Sequence, residues 1–380
     1  EPYYGGSHAA WAAGYRRHSR HRVEILSLPA RFWKWRMHGG AVKLAEDYRQ
    51  LAAAADGDEP GLLLATDMLD LAAFLGLTRE STADLRTGLY FHENQLTYPW
   101  SPADPDPERR RDRHYQFINF TSALAADVVL FNSAYHRRSF LAALPGFLQQ
   151  FPDYRSPAAA ALIAAKSRVL PLGVDLASLD EGGMPPARRQ FPPGKPPLIL
   201  WNHRWEDDKN PEAFFRLLLR LADRGLPFRL AVLGQRYGRQ PKVFAAARRR
   251  LAARIVQWGY VESRREYAAW LHRADILPVT ARHDFFGVSV VEALYCRCHP
   301  LLPRRLSYPE HVPADRRARY LYDGEADLER RLAALLKAPR RLAGRDNFRA
   351  WVRSYDWSVM APRYDDLFAS LAGGNGRKCW

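Results

Sequence analysis

Residues 281–299 read ARHDFFGVSVVEALYCRCH, and the reading of this stretch decides the rest. Asp284-Phe285-Phe286-Gly287 is a turn, after which Val290, Val291, Leu294 and Tyr295 fall at helical spacing. A helix that begins near Gly287 points its unbonded N–H groups and positive dipole end at whatever fills the loop, which suits a phosphate or diphosphate. Asp284 lies in that loop, and Glu292 lies on the second helical turn. Carboxylates beside an anion repel it unless they bind hydroxyls on either side of it, as a sugar and a ribose offer. The combination predicts a nucleotide-sugar.

Working outward, residues 276–280 form the strand that feeds this loop. The strand 198–202 precedes His203, Arg204 and Lys209, with a helix predicted over 211–221. Arg204 and Lys209 can clamp two phosphates, one as a planar fork and one as a point charge. Ion pairs to Glu206, Asp207 or Asp208 are the alternative use of either cation. Residues 228–233 and 255–260 are further strands. Nearer the N-terminus, Gly5-Gly6-Ser7-His8 is a turn that opens a helix to His18, and residues 23–28 read as a strand. Residues 31–36 interleave Phe32, Trp33 and Trp35 with Arg31, Lys34 and Arg36, able either to stack bases and bind phosphate or to pack a loop on the core. The strands 62–66 and 89–91 follow, and the second delivers His92, Glu93, Asn94 and Gln95 at its carboxyl end, where open α/β sheets bind ligands. A helix over 113–124 leads to a strand over 127–133, whose end offers Asn132 and Ser133. Strands alternating with helices predict parallel sheets of Rossmann type. Residues 184–197, rich in Pro, Gly and Arg without apolar period, form the linker between two such halves.

Six blocks, in register along the chain, carry a family resemblance: EPYYGGSH at 1–8, LPARFWKWR at 28–36, YFHENQLTYP at 90–99, ADVVLFNSAYHRRSF at 126–140, WNHRWEDDKNPEAFF at 201–215 and HDFFGVSVVEALYCRCHPLLP at 283–303. An acid, seven residues and a Glu at a helix start resembles the signature of retaining glycosyltransferases of the GT-B fold, family 4. The six blocks together resemble one branch of it, the tRNA-queuosine α-mannosyltransferases. One position departs: the family's first acid is usually Glu, and here it is Asp284.

The resemblance implies an α/β fold of two facing Rossmann-like domains with parallel sheets and an active site in the cleft between them. Residues 1–176 would be the acceptor-side domain, 177–194 the linker, 195–352 the donor domain, and 353–380 a C-terminal crossover helix returning to the first domain. It implies GDP-mannose as donor, queuosine in tRNA as acceptor, retention at the anomeric carbon, and no cofactor. Gly5, Gly6, Arg204, Lys209, Phe286, Gly287, Val288 and Glu292 would bind the donor, with Glu292 on ribose hydroxyls. His92, His8 and Asp284 would be catalytic, Asp284 on a hexose hydroxyl and a histidine on a sugar hydroxyl or leaving-group oxygen. Glu93, Asn94, Gln95, Asn132 and Ser133 would face the acceptor. Charge stabilisation of the departing diphosphate by Arg204, Lys209 and backbone N–H groups needs no divalent metal, and no plausible DxD loop stands out.

Composition sets outer bounds. A chain of 380 residues, 47% hydrophobic and 26% charged, suits two globular domains. Its longest apolar runs are strand-length, so no membrane span is expected. The chain opens on Glu1 without a Met, directly before a glycine turn, which suggests that a first strand precedes it. Cys296, Cys298 and Cys379 form neither a disulfide framework nor a zinc-ligand spacing, and they predict a reduced, cytoplasmic protein. His299 beside two of them invites a metal, but a stray histidine at a helix end is the plainer reading. The net charge of +16 favours an anionic partner. Basic clusters recur at 16–22, at Arg109-Arg110-Arg111 with Arg113, and across 224–261, which contains Arg248-Arg249-Arg250 and no acid. Several such clusters on one chain suit a polyanion such as tRNA. Two other readings stay open: a family 4 glycosyltransferase with another donor and a lipid, polysaccharide or small acceptor, and a non-catalytic nucleic-acid-binding protein, which has no use for Arg204, Lys209, Asp284 and Glu292 together. The oligomeric state is not legible.

Overall fold

The computed structural model describes residues 1–54, 60–100, 104–106, 108, 113–153, 155–182, 195–235, 241–343 and 346–373. They form two compact units: Glu1–Val174 joined by the C-terminal segment from Trp357, and Asp175–Asp356. Arg109-Arg110-Arg111 and Cys379 lie outside the described residues.

In the first unit, β1 (Leu62–Thr66), β2 (Arg86–Phe91), β3 (Val128–Phe131) and β4 (Ser167–Val169) lie in that order, all parallel. The apolar runs of β3 and of the end of β2 reflect burial on both faces, whereas β4 exposes Arg168 and Val169. Leu89, Phe91, Val129 and Phe131 meet Phe140 and Leu144 of the helix Ala134–Leu148 in the core. The helix Trp357–Ala372 belongs to this unit: Tyr364 Oη accepts from Trp11 Nε1 at 3.1 Å, and Asp365 Oδ1 accepts from Tyr15 Oη at 2.8 Å and Ser19 Oγ at 2.6 Å. Two expectations are corrected here. Residues 23–28 form no strand, because the pairing beside them among the described residues amounts to one bridge, Tyr4 to Pro29, and one bridge makes no ladder. The aromatic run at 31–36 is not a loop, since a helix starts at Trp33 and continues to Ala54.

The second unit holds β5 (Leu198–Trp201), β6 (Arg229–Val232), β7 (Ile255–Trp258), β8 (Ile276–Pro278), β9 (His299–Pro303) and β10 (Leu321–Tyr322). The sheet order is β10-β9-β8-β5-β6-β7, all parallel. The chain enters at β5, winds outward to β7, and returns to β8 on the other side. The junction of β5 and β8 is therefore a topological switch point, the place where a doubly wound sheet opens a crevice at its carboxyl edge. An aromatic cluster carries the core beneath it, with Trp205 and Phe244 stacked 4.1 Å apart at 1°. Part of the expected linker is folded into this unit: residues Ala177–Gly182 form a 3₁₀ turn that buries Leu179, whose carbonyl accepts from His272 Nε2 at 2.8 Å. Residues 183–194 lie outside the described residues. The ring of His299 packs between Tyr320 and Phe348 at 5.1 and 5.8 Å. No helix among the described residues is long and apolar enough to cross a membrane.

Candidate active site

At the switch point the end of β5 supplies His203 and Arg204, a 3₁₀ turn supplies Asp208 and Lys209, and the loop after β8 supplies His283 to Gly287. Gly287 has φ 88° and ψ 53°, a left-handed conformation that favours glycine, and from it springs the helix Val288–Tyr295. A Cβ there would also stand 3.1 Å from the Tyr308 ring. Phe286 is held as a packing residue against His311 and Tyr355, and its carbonyl accepts from Ser307 Oγ at 3.0 Å and from His311 Nε2 at 2.6 Å.

Lys209 is buried, and its Nζ lies 3.0 Å from Asp208 Oδ2, 3.4 Å from Asp284 Oδ2 and 3.0 Å from the His283 carbonyl. Burial alone would depress this ammonium, but Asp284 and Asp208 outweigh it and hold its pKa above the ordinary lysine value. Burial would raise Asp284, yet Lys209 and the Tyr308 hydroxyl at 3.1 Å bring it below the usual carboxylate value. Burial and the same ammonium push His203 and His283 down to about 4, so both imidazoles are neutral. His203 receives or gives a bond to Ser289 Oγ at 2.9 Å through Nδ1, while its buried Nε2 has no partner among the described residues. Arg204 stands apart, half exposed, 3.1 Å from Glu206 Oε2. Both cations of the expected clamp thus take acidic partners, Glu206 for Arg204 and Asp208 with Asp284 for Lys209.

Glu292 is buried on the same helix, and both its oxygens are engaged. Oε1 accepts from Arg264 Nη1 at 2.6 Å and Oε2 from Tyr267 Oη at 2.8 Å. Arg264 also donates to the Asp175 carbonyl at 3.0 Å, which ties the 175–182 segment to the site. Burial opposes the Arg264 charge, but Glu292 more than restores it.

In the first unit Gly6 has φ 52°, and the helix Gly6–His18 carries His8 on its first turn. His8 Nδ1 is 2.9 Å from Glu1 Oε2, and its ring lies 4.2 Å from that of His92. Burial would lower His8, but the Glu1 carboxylate raises it to about 9. Burial and the charge on His8 push His92 well below its ordinary value, and neither of its buried ring nitrogens has a partner among the described residues. Its backbone is fixed from two sides: its N–H donates to Asp67 Oδ1 at 2.7 Å, and its carbonyl accepts from Asn132 Nδ2 at 2.9 Å. Burial, opposed by His8, leaves Asp67 above the usual carboxylate value. Among the described residues, Glu1, His8 and His92 form the single group whose ligand-type atoms, all within 4.8 Å of one another, have the makings of a metal site.

The structure brings His8 and His92 together, and Lys209 and Asp284 together. Several of the residues expected on the acceptor side also serve as supports. Asn94 Oδ1 caps a turn by accepting from Thr97 N at 3.0 Å, Ser133 Oγ caps a helix by accepting from His136 N at 2.9 Å, and Asn132 braces His92. Gln95 Nε2 donates to Glu93 Oε1 at 3.2 Å, so these two side chains orient one another. Sequence reasoning named Asp208 as an ion-pair partner, which it is for Lys209, and missed Asp67, Arg264, Tyr267 and Tyr308. Asp67 follows β1 as His92 follows β2, and the same rule of strand ends finds it. Ser263-x-x-Glu266 is a capping box, with Ser263 Oγ accepting from Glu266 N at 3.3 Å, and marks the helix that presents Arg264 and Tyr267.

Residues 1–174 match the family described as tRNA-queuosine alpha-mannosyltransferase N-terminal, and residues 186–350 match Glycosyl transferases group 1. A tRNA-queuosine alpha-mannosyltransferase of Drosophila melanogaster is 33% identical over 97% of this chain and 95% of its own length. Among solved structures, sucrose-phosphate synthase of Thermosynechococcus elongatus aligns with a TM-score of 0.64 at 17% identity, over 92% of this chain and 81% of that one. Anabaena Alr3699/HepE in complex with UDP aligns with a TM-score of 0.63 at 12% identity, over 97% of this chain and 98% of that one. These likenesses carry the fold, which is GT-B, and the sequence matches identify a glycosyltransferase rather than a non-catalytic binding protein. The chain belongs to the tRNA-queuosine α-mannosyltransferase family.

Proposed function

We propose that this chain transfers mannose, with retention, from GDP-mannose to queuosine in the anticodon of a tRNA, and that it does so in the cytoplasm without a divalent metal. The observation that carries the reading is the match to the mannosyltransferase family through both units, together with a switch-point site in the second that holds Lys209 and Asp284 beside the helix after Gly287. Breaking the sugar–phosphate bond leaves a diphosphate with growing negative charge. Arg204, Lys209 and the N–H groups after Gly287 stabilise that charge, so leaving-group departure is assisted by fixed donors. Asp284 holds a hexose hydroxyl and Glu292 the ribose hydroxyls. For Glu292 to do so, one of its oxygens must share or give up its bond to Arg264 or Tyr267. On the first unit, neutral His92, whose ring nitrogens have no partner among the described residues, receives or gives a proton at a sugar or acceptor hydroxyl.

The decisive experiment incubates the protein with labelled GDP-mannose and either queuosine-containing tRNA or the same tRNA without queuosine. Label is expected in the first alone. Transfer from UDP-glucose instead, or transfer to a lipid or free sugar with no label in tRNA, would replace this reading with another family 4 activity.

A further inference from the structure

We propose that Phe32 and Trp35, at the start of the helix Trp33–Ala54, form a stacking platform for the unpaired bases of an RNA loop. They are 72% and 63% exposed, the most exposed large apolar side chains among the described residues. Single exposed apolar residues are ordinary, but two aromatics three positions apart on one helix start are a displayed surface. Phe32 holds φ 54°, a left-handed conformation that costs any residue with a Cβ and suits glycine. An aromatic ring is thus kept where the backbone favours none. Trp35 rests over Gly39, where a Cβ would stand 2.7 Å from ring atoms Cε2 and Cζ2.

The intervening residues do the opposite. Trp33 packs inward on Tyr115 and Trp100, with ring centroids 5.0 and 5.9 Å apart, and Lys34 Nζ is tied to Asp104 at 2.7 Å. Two side chains therefore anchor the segment and two are shown to solvent. Exposed Arg31 and partly exposed Arg36 flank them with positive charge. Aromatic faces beside guanidinium groups fit single-stranded RNA, whose bases are open to stacking, and not duplex, whose bases are covered. The placement agrees. A Cβ on Gly5 would meet Ala30 Cβ at 2.3 Å, and Tyr4 N donates to Leu28 O at 2.9 Å, so the glycine turn ahead of His8 packs directly on the residue before Arg31. The platform flanks the His8–His92 pair within one unit. Its biological meaning rests on the tRNA acceptor proposed above.

The test uses a labelled RNA hairpin with an unpaired anticodon-type loop and, for comparison, a blunt duplex of equal length, both without donor. Phe32→Gly removes the ring and relieves the backbone, Trp35→Ala removes the other ring, and Trp35→Phe keeps an aromatic face. Each ring removed is expected to weaken hairpin binding about tenfold, with Trp35→Phe close to the parent and duplex binding unchanged. A double variant that keeps its melting temperature and binds the hairpin within about twofold of the parent overturns the proposal. So does a double variant whose one defect is in binding phosphatidylserine-containing vesicles, which would assign the rings to a membrane surface. The two readings fail separately. Loss of hairpin binding in the variants with no mannose transfer by the parent leaves the platform standing and ends the proposed function. Transfer to tRNA with an unchanged acceptor KM in the double variant leaves the function standing and ends the platform.

Discussion

The imidazole of His8 lies 4.2 Å from that of His92, and the two rings have opposite acidities. Glu1 holds His8 up to about 9 against burial, whereas burial and the charge on His8 keep His92 well below the ordinary value. At neutral pH His8 is charged and His92 neutral.

This arrangement fixes two limbs of a stability profile. The folded pKa of His8 lies above its unfolded 6.5, so its contribution is complete below 6.5 and is lost as pH rises through about 9. The folded pKa of His92 lies below its unfolded value, so its contribution is present above that value and is lost as pH falls. Melting temperature measured against pH should fall on both sides, and His8→Asn should abolish the alkaline fall. An alkaline limb unchanged by that substitution would assign the loss to another group.

Lys209 and Arg204 should behave differently although both are placed at the diphosphate. Lys209→Met leaves Asp208 and Asp284 facing one another without their buried cation and should cost about 3–5 kcal/mol in urea unfolding. Arg204→Ala, at a half-exposed pair, should cost under about 1 kcal/mol yet lower transfer about a hundredfold. Transfer by Arg204→Ala within a few-fold of the parent would take that residue out of the site.

Glu292 and Arg264 should be coupled. Glu292→Gln is expected to weaken donor binding by about 1.5–3 kcal/mol, the worth of hydrogen bonds to a charged acceptor. Arg264→Met should also shift donor affinity, and calorimetry on the double variant should show a non-additive sum. Strict additivity would mean that the ion pair serves folding alone.

The triplet Arg248-Arg249-Arg250 is exposed at the end of the helix Val243–Arg250, with Arg250 Nη2 3.5 Å from Asp223. If these cations meet tRNA phosphates, Glu substitutions should raise the acceptor KM, and the log–log salt slope should shrink by close to one for each phosphate no longer neutralised. Donor affinity should be unchanged. A KM indifferent to salt and to charge reversal would make the triplet solvated surface.

Transfer should also survive extensive treatment with EDTA. Activity lost to EDTA and restored by Zn²⁺ would overturn the metal-free proposal and point to Glu1, His8 and His92, the group with ligand-type spacing among the described residues.

What the sequence made legible was governed by distance along the chain. The buried strands β1, β2, β3, β5, β6 and β8 announced themselves as apolar runs, and the helix after Gly287 by its spacing. β9 did not, because its sequence HPLLP puts prolines where a ladder wants donors. Residues 23–28 misled in the other sense, with strand composition but one bridge beside them among the described residues. Arg204, Lys209 and Asp284 were singled out because strand ends bind ligands. Asp208, beside Lys209 in the chain, was legible as an ion-pair partner, but the contacts of Tyr308 with Asp284 and of Arg264 with Glu292 depend on which loops meet, and Arg264 and Glu292 are separated by 28 positions in the chain. Asn94, Asn132 and Ser133 were found as polar residues at strand ends, but a single sequence does not tell a ligand contact from a cap or brace.

The C-terminal helix Trp357–Ala372 completes the first unit, so the second unit is an insertion within the first rather than a successor to it. During synthesis the first 174 residues leave the ribosome long before Tyr364 and Asp365 exist to engage Trp11, Tyr15 and Ser19. The nascent first unit must hold those aromatic and hydroxyl groups unmatched while the whole second unit is made and folds. A stop codon before the last helix therefore removes the keystone of the earlier unit and not merely a tail. Such truncated chains should be captured by chaperones through their first half.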